Sequence, residues 1–233
     1  MGGGMSIEMW RAEDDDGAVG SALQAKVFEE LEWEPGLDAH DVKVSVVDKT
    51  VRLFGTVPRY PEKVAIERAA RRAHGVQGVQ NDVAVTPPAG DRRSDDEVAR
   101  EVRVALAANV IVAPEHVQMS VVRGRVELRG EVETYSVRRA AEEAVERLMG
   151  VTGVTNLIVV KTVRPAPGLE ARVSAALEHG CGAAGRRIHV SANDGRVTLR
   201  GRVRCLAERD RVVRGAWEVP GVAAILDEIQ IKG

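Results

Sequence analysis

In VELRGEV, residues 126–132, apolar residues and one glycine alternate with charged residues. A period of two is typical of a β-strand with one buried face. Gly130 stands at an inward position, where it predicts the close approach of another part of the chain. GVTGVTNLIV, residues 150–159, follows after a helix-like segment and predicts a second strand that begins behind a glycine.

The same pair of stretches occurs twice more. The further copies are VRLFGTV (51–57) with GVQGVQNDVAV (75–85), and VTLRGRV (197–203) with VPGVAAILDEIQI (219–231). The glycines of the first stretch, which lie 75 and 71 residues apart, are Gly55, Gly130 and Gly201. The glycines aligned in the second stretch, with spacings of 75 and 68, are Gly78, Gly153 and Gly221. We therefore expect three tandem modules, with these six glycines in structural roles and the last connecting helix shortened by three residues.

Each module is predicted to run α-β-β-α-β. Apolar residues recur every four positions in its first helix; in the second module they are Val98, Val102, Leu106 and Val110. The third of these helices should be the shortest, because the pattern stops near Gly180. A hairpin, a second helix and a final strand follow, and the first hairpin lacks the turn glycine of the other two. In the third module the second helix is predicted to bury Leu206, Val213 and Trp217. The expected fold class is α+β: in each module, a three-stranded sheet with two helices packed on one face.

The predicted boundaries are a flexible N-terminal tail at 1–17 and modules at 18–86, 94–163 and 168–233. We call these modules 1, 2 and 3. Proline-rich linkers separate them and should act as semi-stiff spacers.

Composition narrows the class of protein. The chain has 233 residues and a net charge of −2, and aromatic residues make up 3%. So few aromatics argue against base stacking, and no nucleic-acid partner is expected. No apolar run is long enough to span a membrane, and no secretory signal opens the chain. We therefore expect a cytoplasmic location, and peripheral contact with the inner membrane stays open.

The net charge differs between the modules. It is −5 in residues 1–89, 0 in residues 90–164 and +3 in residues 165–233.

Motifs for catalysis are missing: the sequence has no Walker loop, no dinucleotide-binding GxGxxG, no GxSxG and no HExxH. We expect no enzyme activity, no cofactor and no metal. The nearest approach to a metal site is a group in module 3: His179, Cys181, His189 and Cys205. Their spacing matches no zinc framework, so we interpret them as loop and surface residues. The other histidines, His40, His74 and His116, are interpreted as turn residues.

The order of elements, the strand glycine and the GVQGVQN and GVTGVTN segments resemble the BON domain, in three copies from about Ala18 onward. The third copy departs from this pattern at 221–224, where the asparagine is missing. The resemblance implies binding rather than catalysis, because BON domains are associated with phospholipid membranes, osmotic-stress proteins, secretin pores and mechanosensitive channels. The 27 arginines against 6 lysines fit a GC-rich bacterial genome.

Arginines alternate with apolar residues in the second and third modules and should share the sheet face that points away from the helices. Phe54 should lie on the same face of module 1. The candidate residues for contact with anionic lipid or a partner are Arg123, Arg125, Arg129, Arg196, Arg200, Arg202, Arg204 and Phe54. Guanidinium groups pair well with phosphate, but a half-exposed sheet also needs a polar face, and both readings stay open.

Two functions are therefore expected. The first is a non-enzymatic scaffold that associates peripherally with phospholipid or envelope components, with a stress-related role. The second is a soluble protein-protein interaction or homo-oligomerisation module without lipid binding.

Overall fold

The computed structural model describes residues 17–35, 41–161 and 167–232, with side chains from Gly20 onward. The helices are α1 (Gly17–Glu32), α2 (Tyr60–Arg72), α3 (Asp95–Ala108), α4 (Tyr135–Glu146), α5 (Leu169–Gly185) and α6 (Leu206–Trp217). The strands are β1 (Val42–Val47), β2 (Thr50–Val57), β3 (Gly78–Val85), β4 (Val117–Val122), β5 (Arg125–Val132), β6 (Gly153–Val160), β7 (Ile188–Asn193), β8 (Arg196–Val203) and β9 (Ala224–Ile231). The predicted tail, apart from Gly17, and His40 lie outside the described residues.

Each module forms its own three-stranded sheet, in the order β1-β2-β3, β4-β5-β6 or β7-β8-β9. The first two strands of each sheet are antiparallel hairpins. The third strand runs parallel to the second in modules 1 and 2. A parallel pair needs a crossover connection, which α2 and α4 supply. The predicted α+β fold of three α-β-β-α-β modules is confirmed.

The core of each module lies between its sheet and its two helices. In module 1, Val51, Leu53 and Val57 are buried, whereas Arg52 and Thr56 between them are exposed. The first helices bury these predicted apolar positions: Leu23, Val27 and Leu31; Val98, Val102 and Leu106; Leu169, Val173 and Leu177. Val110, predicted as the last member of the second set, is instead 99% exposed, because α3 ends at Ala108. Each fully buried valine or leucine contributes about 1.5 to 3 kcal/mol to folding. The side of the sheet away from the helices, here called the outer face, is left to solvent.

The first hairpin turns without a glycine. Asp48 and Lys49 adopt φ angles of 48° and 59°, and Val47 pairs with Thr50 across the turn. Of the two-residue turns that match strand twist, type I′ has positive φ at both central positions, as seen here. The two non-glycine residues therefore take a conformation that costs about 1 kcal/mol or more each.

The first helix of module 3 stops near Gly180 as expected, because its regular part covers residues 169–181 and non-helical Gly182, with φ of 54° and ψ of −125°, separates it from the last turn of α5. This regular part is shorter than α1, with 16 residues, and α3, with 14. The expectation of a shortened second helix in module 3 is wrong, since α4 and α6 both have 12 residues. The positive-φ glycines that precede the last strands are Gly75, Gly150 and Gly221, and they are 75 and 71 residues apart. Ala224, rather than Gly221, is thus the counterpart of Gly78 and Gly153.

The chain divides into two compact units. Unit 1 comprises Met1–Pro87 with Arg204–Ala207 and Ile231–Gly233. Leu206 belongs to its apolar core, and the Gly75 amide donates to the Arg204 carbonyl at 3.4 Å. Unit 2 comprises Pro88–Val203 and Glu208–Gln230.

Modules 2 and 3 meet inside unit 2 through an aromatic pair. The rings of Tyr135 and Trp217 stack with centroids 5.8 Å apart and an interplanar angle of 15°. Beside them, Arg139 lies 3.3 Å from Glu218. An offset stack of this kind contributes about 0.5 to 1.5 kcal/mol beyond its buried area. No helix in the described part of the chain is long and apolar enough to cross a membrane.

Candidate anion-binding surface

The outer face of module 3 is built by the alternation of β8. Val197, Leu199 and Val203 are buried against the helices. The residues that project the other way are Arg196, Thr198, Arg200 and Arg202, and the three arginines are exposed. On the neighbouring strands, the same face carries His189, Ser191 and Asn193 of β7 and Leu226, Glu228 and Gln230 of β9. We call these ten residues the module 3 outer face.

One arginine of this face is held by a carboxylate. Arg200 Nε lies 2.5 Å from Glu228 Oε2, and Arg200 Nη2 lies 3.4 Å from Glu228 Oε1. The hydrogen bond from Arg200 lowers the pKa of the Glu228 carboxyl below its ordinary value. Such a fork is the geometry with which guanidinium groups bind carboxylate or phosphate.

Arg196 and Arg202 stand in different surroundings. Neither forms an ion pair with any described residue. Arg196 borders an open cleft of about 430 Å³ that also contains Glu170 and Asp194, so two carboxylates reduce its attraction for anions. Since the face has three arginines and Glu228 as its one strand carboxylate, its net charge is +2. Arg204, predicted to share this face, lies one residue beyond the end of β8.

The outer face of module 2 is electrically balanced. Arg129 Nε lies 2.5 Å from Glu127 Oε1, and Arg125 is exposed at the start of β5. Arg123 lies in the hairpin turn rather than on the strand, with φ of 52°.

Sequence reasoning missed two apolar residues on the outer face of module 2, Leu157 and Val159, which are 48% and 61% exposed. Their alternation along β6 was the signal that could have revealed them.

Phe54 lies half-buried on the outer face of module 1. Its Cα partners are Lys43 on β1 and Asp82 on β3. Asp82 also lies 3.7 Å from Arg52. Phe54 is therefore surrounded by charged side chains, without an apolar patch of its own.

The strand glycines permit a close backbone contact. A Cβ on Gly55 would lie 1.9 Å from the Asp41 carbonyl oxygen, and one on Gly130 would lie 2.0 Å from that of His116. Gly201 has the same surroundings, with the Arg187 carbonyl oxygen at 2.4 Å. All three have φ between 128° and 158°, which side chains rarely adopt. Gly153, in contrast, would accept a Cβ with ordinary contacts of 3.6 Å or more.

A polar lock ties the second helix to the last strand in every module. In module 2, Asn156 Nδ2 donates to the Arg138 carbonyl at 3.0 Å and to Glu142 Oε2 at 3.1 Å, and its Oδ1 accepts from the Ile158 amide at 3.1 Å. Asn81 makes the same contacts with Lys63, Glu67 and Val83.

In module 3, Asp227 takes the place of the asparagine, and Val213 takes the place of the glutamate. Asp227 Oδ2 accepts from Arg209 Nε at 2.8 Å, and its Oδ1 accepts from the Ile229 amide at 3.0 Å. In module 3 the side-chain donor belongs to the helix residue Arg209, whereas in module 2 it belongs to the strand residue Asn156. The second helix and the last strand are therefore hydrogen-bonded to each other in both modules. The missing asparagine of the sequence pattern is thus compensated by a paired change.

The cysteines are core residues, so their interpretation as loop and surface residues was wrong. Cys181 and Cys205 are both buried. The Cys181 thiol donates to the Arg211 carbonyl at 3.5 Å, and burial raises its pKa. His179 and His189 are exposed. Within residues 17–35, 41–161 and 167–232, no three potential ligands lie close enough to hold a metal ion.

Comparison with known proteins identifies the modules. The family model described as BON domain matches residues 20–87, 94–162 and 166–233. No curated protein matches the sequence. Two solved structures of CdsD, a structural protein of the Type III secretion system of Chlamydia trachomatis, each match at 16% identity and a TM-score of 0.24. One match covers 91% of this chain and 92% of the chain in the solved structure, and the match to the C-terminal domain covers 94% of this chain and 100% of that one. At this TM-score the likeness carries no argument about function.

Proposed function

Since the chain belongs to the BON domain family and carries three copies of that domain, we propose that it is a docking protein that binds anionic phospholipid surfaces through the module 3 outer face. Binding is peripheral and electrostatic. BON domains are generally non-catalytic, and we extend that property to this chain.

The observation that carries this proposal is the net charge of +2 on the module 3 outer face. Arg196 and Arg202 project from one strand, so both reach a flat surface at the same time. Each arginine close to an anionic membrane contributes about 1 kcal/mol to binding. Arg202 is expected to contribute more than Arg196, because Glu170 and Asp194 lie beside Arg196.

The exposed pair Leu157 and Val159 favours a second candidate function. These residues lie on β6, which is an edge strand of the module 2 sheet. An edge strand with an apolar face can accept another chain by strand addition or face packing. In that function the protein binds a protein partner or a second copy of itself.

The test is co-sedimentation with vesicles of phosphatidylcholine alone or mixed with phosphatidylglycerol. The proposal predicts binding that rises with phosphatidylglycerol and weakens with salt, because salt screens exposed charges. Equal sedimentation with both vesicle types would contradict it. Concentration-dependent light scattering without lipid would then favour the second candidate. A stress-related role rests on the family alone and is checked by measuring expression after osmotic upshift.

A further inference from the structure

Trp33 is unusually exposed for its size. It follows the C-terminal end of α1 and is 78% exposed. Trp217 is half-buried and stacked on Tyr135, so exposure is not a general property of the tryptophans of this chain. Tryptophan is one of the residues most enriched among those that contribute strongly to protein–protein binding.

Trp33 lines a cleft on the surface of module 1. The cleft measures about 430 Å³ and is lined by Lys26, Glu29, Glu30, Trp33, Ala73 and His74. The Trp33 backbone amide donates to the Glu29 carbonyl at 3.2 Å, so the two residues are one helical turn apart and their side chains leave the same side of the chain. The Glu29 side chain is exposed at the rim.

The charge around the cleft determines the sign of its ligand. Arg72 is shared between two carboxylates, with Nε 2.9 Å from Glu30 Oε2 and Nη2 2.6 Å from Glu34 Oε2. Glu29, Glu30 and Glu34 against Lys26 and Arg72 leave a net charge of −1. Because Arg72 holds Glu30 and Glu34, Glu29 is the cleft carboxylate that forms no ion pair with any described residue. The cleft therefore disfavours an anionic membrane and favours a cationic group that reaches Glu29.

We propose that this cleft binds an arginine side chain presented by a protein partner. The guanidinium plane stacks on the indole of Trp33, and its N–H groups donate to the Glu29 carboxylate. Arginine suits the site better than lysine, because its flat fork stacks on an aromatic face and meets a carboxylate with two donors at once. This inference goes beyond the proposed lipid docking and involves a different module.

The experiment is calorimetric titration of the full chain with capped glycine-arginine peptides. The matched peptides replace arginine by lysine or glutamate. We expect the arginine peptide to bind more tightly than the lysine peptide and the glutamate peptide not to bind. Trp33→Leu and Glu29→Gln should each weaken binding roughly fivefold or more.

The control variant Glu32→Gln removes the same charge from the same helix, because Glu32 is exposed and lies outside the cleft. It should leave peptide affinity within roughly twofold, the loss expected from screened surface charge. Equal losses in Glu32→Gln and Glu29→Gln, or equal affinity for lysine and arginine peptides, would overturn the proposal. Vesicle binding should be unchanged in Trp33→Leu, so failure here and failure of the lipid proposal are distinguishable.

Discussion

Glu228 holds Arg200 in a two-pronged ion pair on the outer face of module 3, with 2.5 Å between Oε2 and Nε. The carboxylate occupies the donors that a lipid phosphate would use. The pair is exposed, so its own contribution to folding stability is small. Its consequence is for binding, because Glu228 competes with any anion for Arg200.

Replacing Glu228 with glutamine should strengthen binding to phosphatidylglycerol vesicles. The change frees Arg200 and raises the net charge of the face from +2 to +3. At about 1 kcal/mol per available arginine, affinity rises roughly fivefold. Vesicle titration measures it directly.

Asp82→Asn is the matched control, because Asp82 is an exposed carboxylate paired to an arginine on the outer face of module 1. It should change vesicle affinity far less. If Glu228→Gln binds vesicles no better than the unmodified chain, Arg200 is not part of the contact.

Asp95 should make the stability of module 2 depend on acid pH. Its carboxylate accepts from the Gly124 amide at 2.8 Å and the Arg123 amide at 2.9 Å, which lowers the pKa of Asp95 below its ordinary value of 3.8. A depressed pKa in the folded state stabilises the fold above the unfolded value, and the gain is lost as pH falls through the folded value. Asp95→Asn should therefore lower the urea midpoint of unfolding at neutral pH. It should also make that midpoint change less as the pH is lowered in the acid range. Asp96→Asn, in the same helix turn, should not.

Gly130→Ala should destabilise the protein by about 2 kcal/mol or more, because the new Cβ meets the His116 carbonyl and the residue keeps a φ of 146°. Gly153→Ala is the control in the same module, since module 3 already has Ala224 there. It should cost no more than about 0.5 kcal/mol. Equal losses in the two variants, measured by urea unfolding, would refute the account of the strand glycine.

The polar lock predicts an asymmetry between modules. Asn156→Asp removes the donor to the Arg138 carbonyl and places a carboxylate beside Glu142, so it should cost about 1 to 3 kcal/mol. Asp227→Asn keeps Oδ1 as the acceptor for the Ile229 amide and loses the Oδ2 acceptor of Arg209 Nε. Because that ion pair is partly exposed to solvent, the change should cost less than Asn156→Asp. Adding Glu142→Val to Asn156→Asp should recover part of the loss. The absence of any recovery in urea unfolding would count against a paired change.

Much of the fold was predictable from residue patterns. The alternation in VELRGEV and its two copies predicted the central strands, and apolar residues at every fourth position predicted the first helices. The second helices were harder. In α6 the sequence pointed to Leu206, Val213 and Trp217, whereas Val212 and Ala216 are the buried residues of its body. A helix rich in alanine and other small residues has a poorly defined apolar face, because rotating the helix by one position buries a similar apolar area.

The candidate surface was less predictable, because alternation places an arginine on a face but does not reveal its partner. Glu228 is distant in sequence from Arg200, and the pair depends on the arrangement of β8 and β9. The cleft at Trp33 forms where the C-terminal ends of α1 and α2 lie side by side, which cannot be read from either helix alone. The alignment error at Gly221 arose because two glycines occur three residues apart in modules 1 and 2, and a single one in module 3.

The most direct test of lipid docking is vesicle binding by the double variant Arg196→Glu and Arg202→Glu. The control is Arg172→Glu with Arg214→Glu, which changes the charge of module 3 equally at exposed positions on its two helices. The account predicts that the first variant loses roughly 30-fold or more in affinity for phosphatidylglycerol vesicles. The second should retain most of its binding. Equal losses in both variants, or binding unaffected in the first, would contradict the assignment of this face.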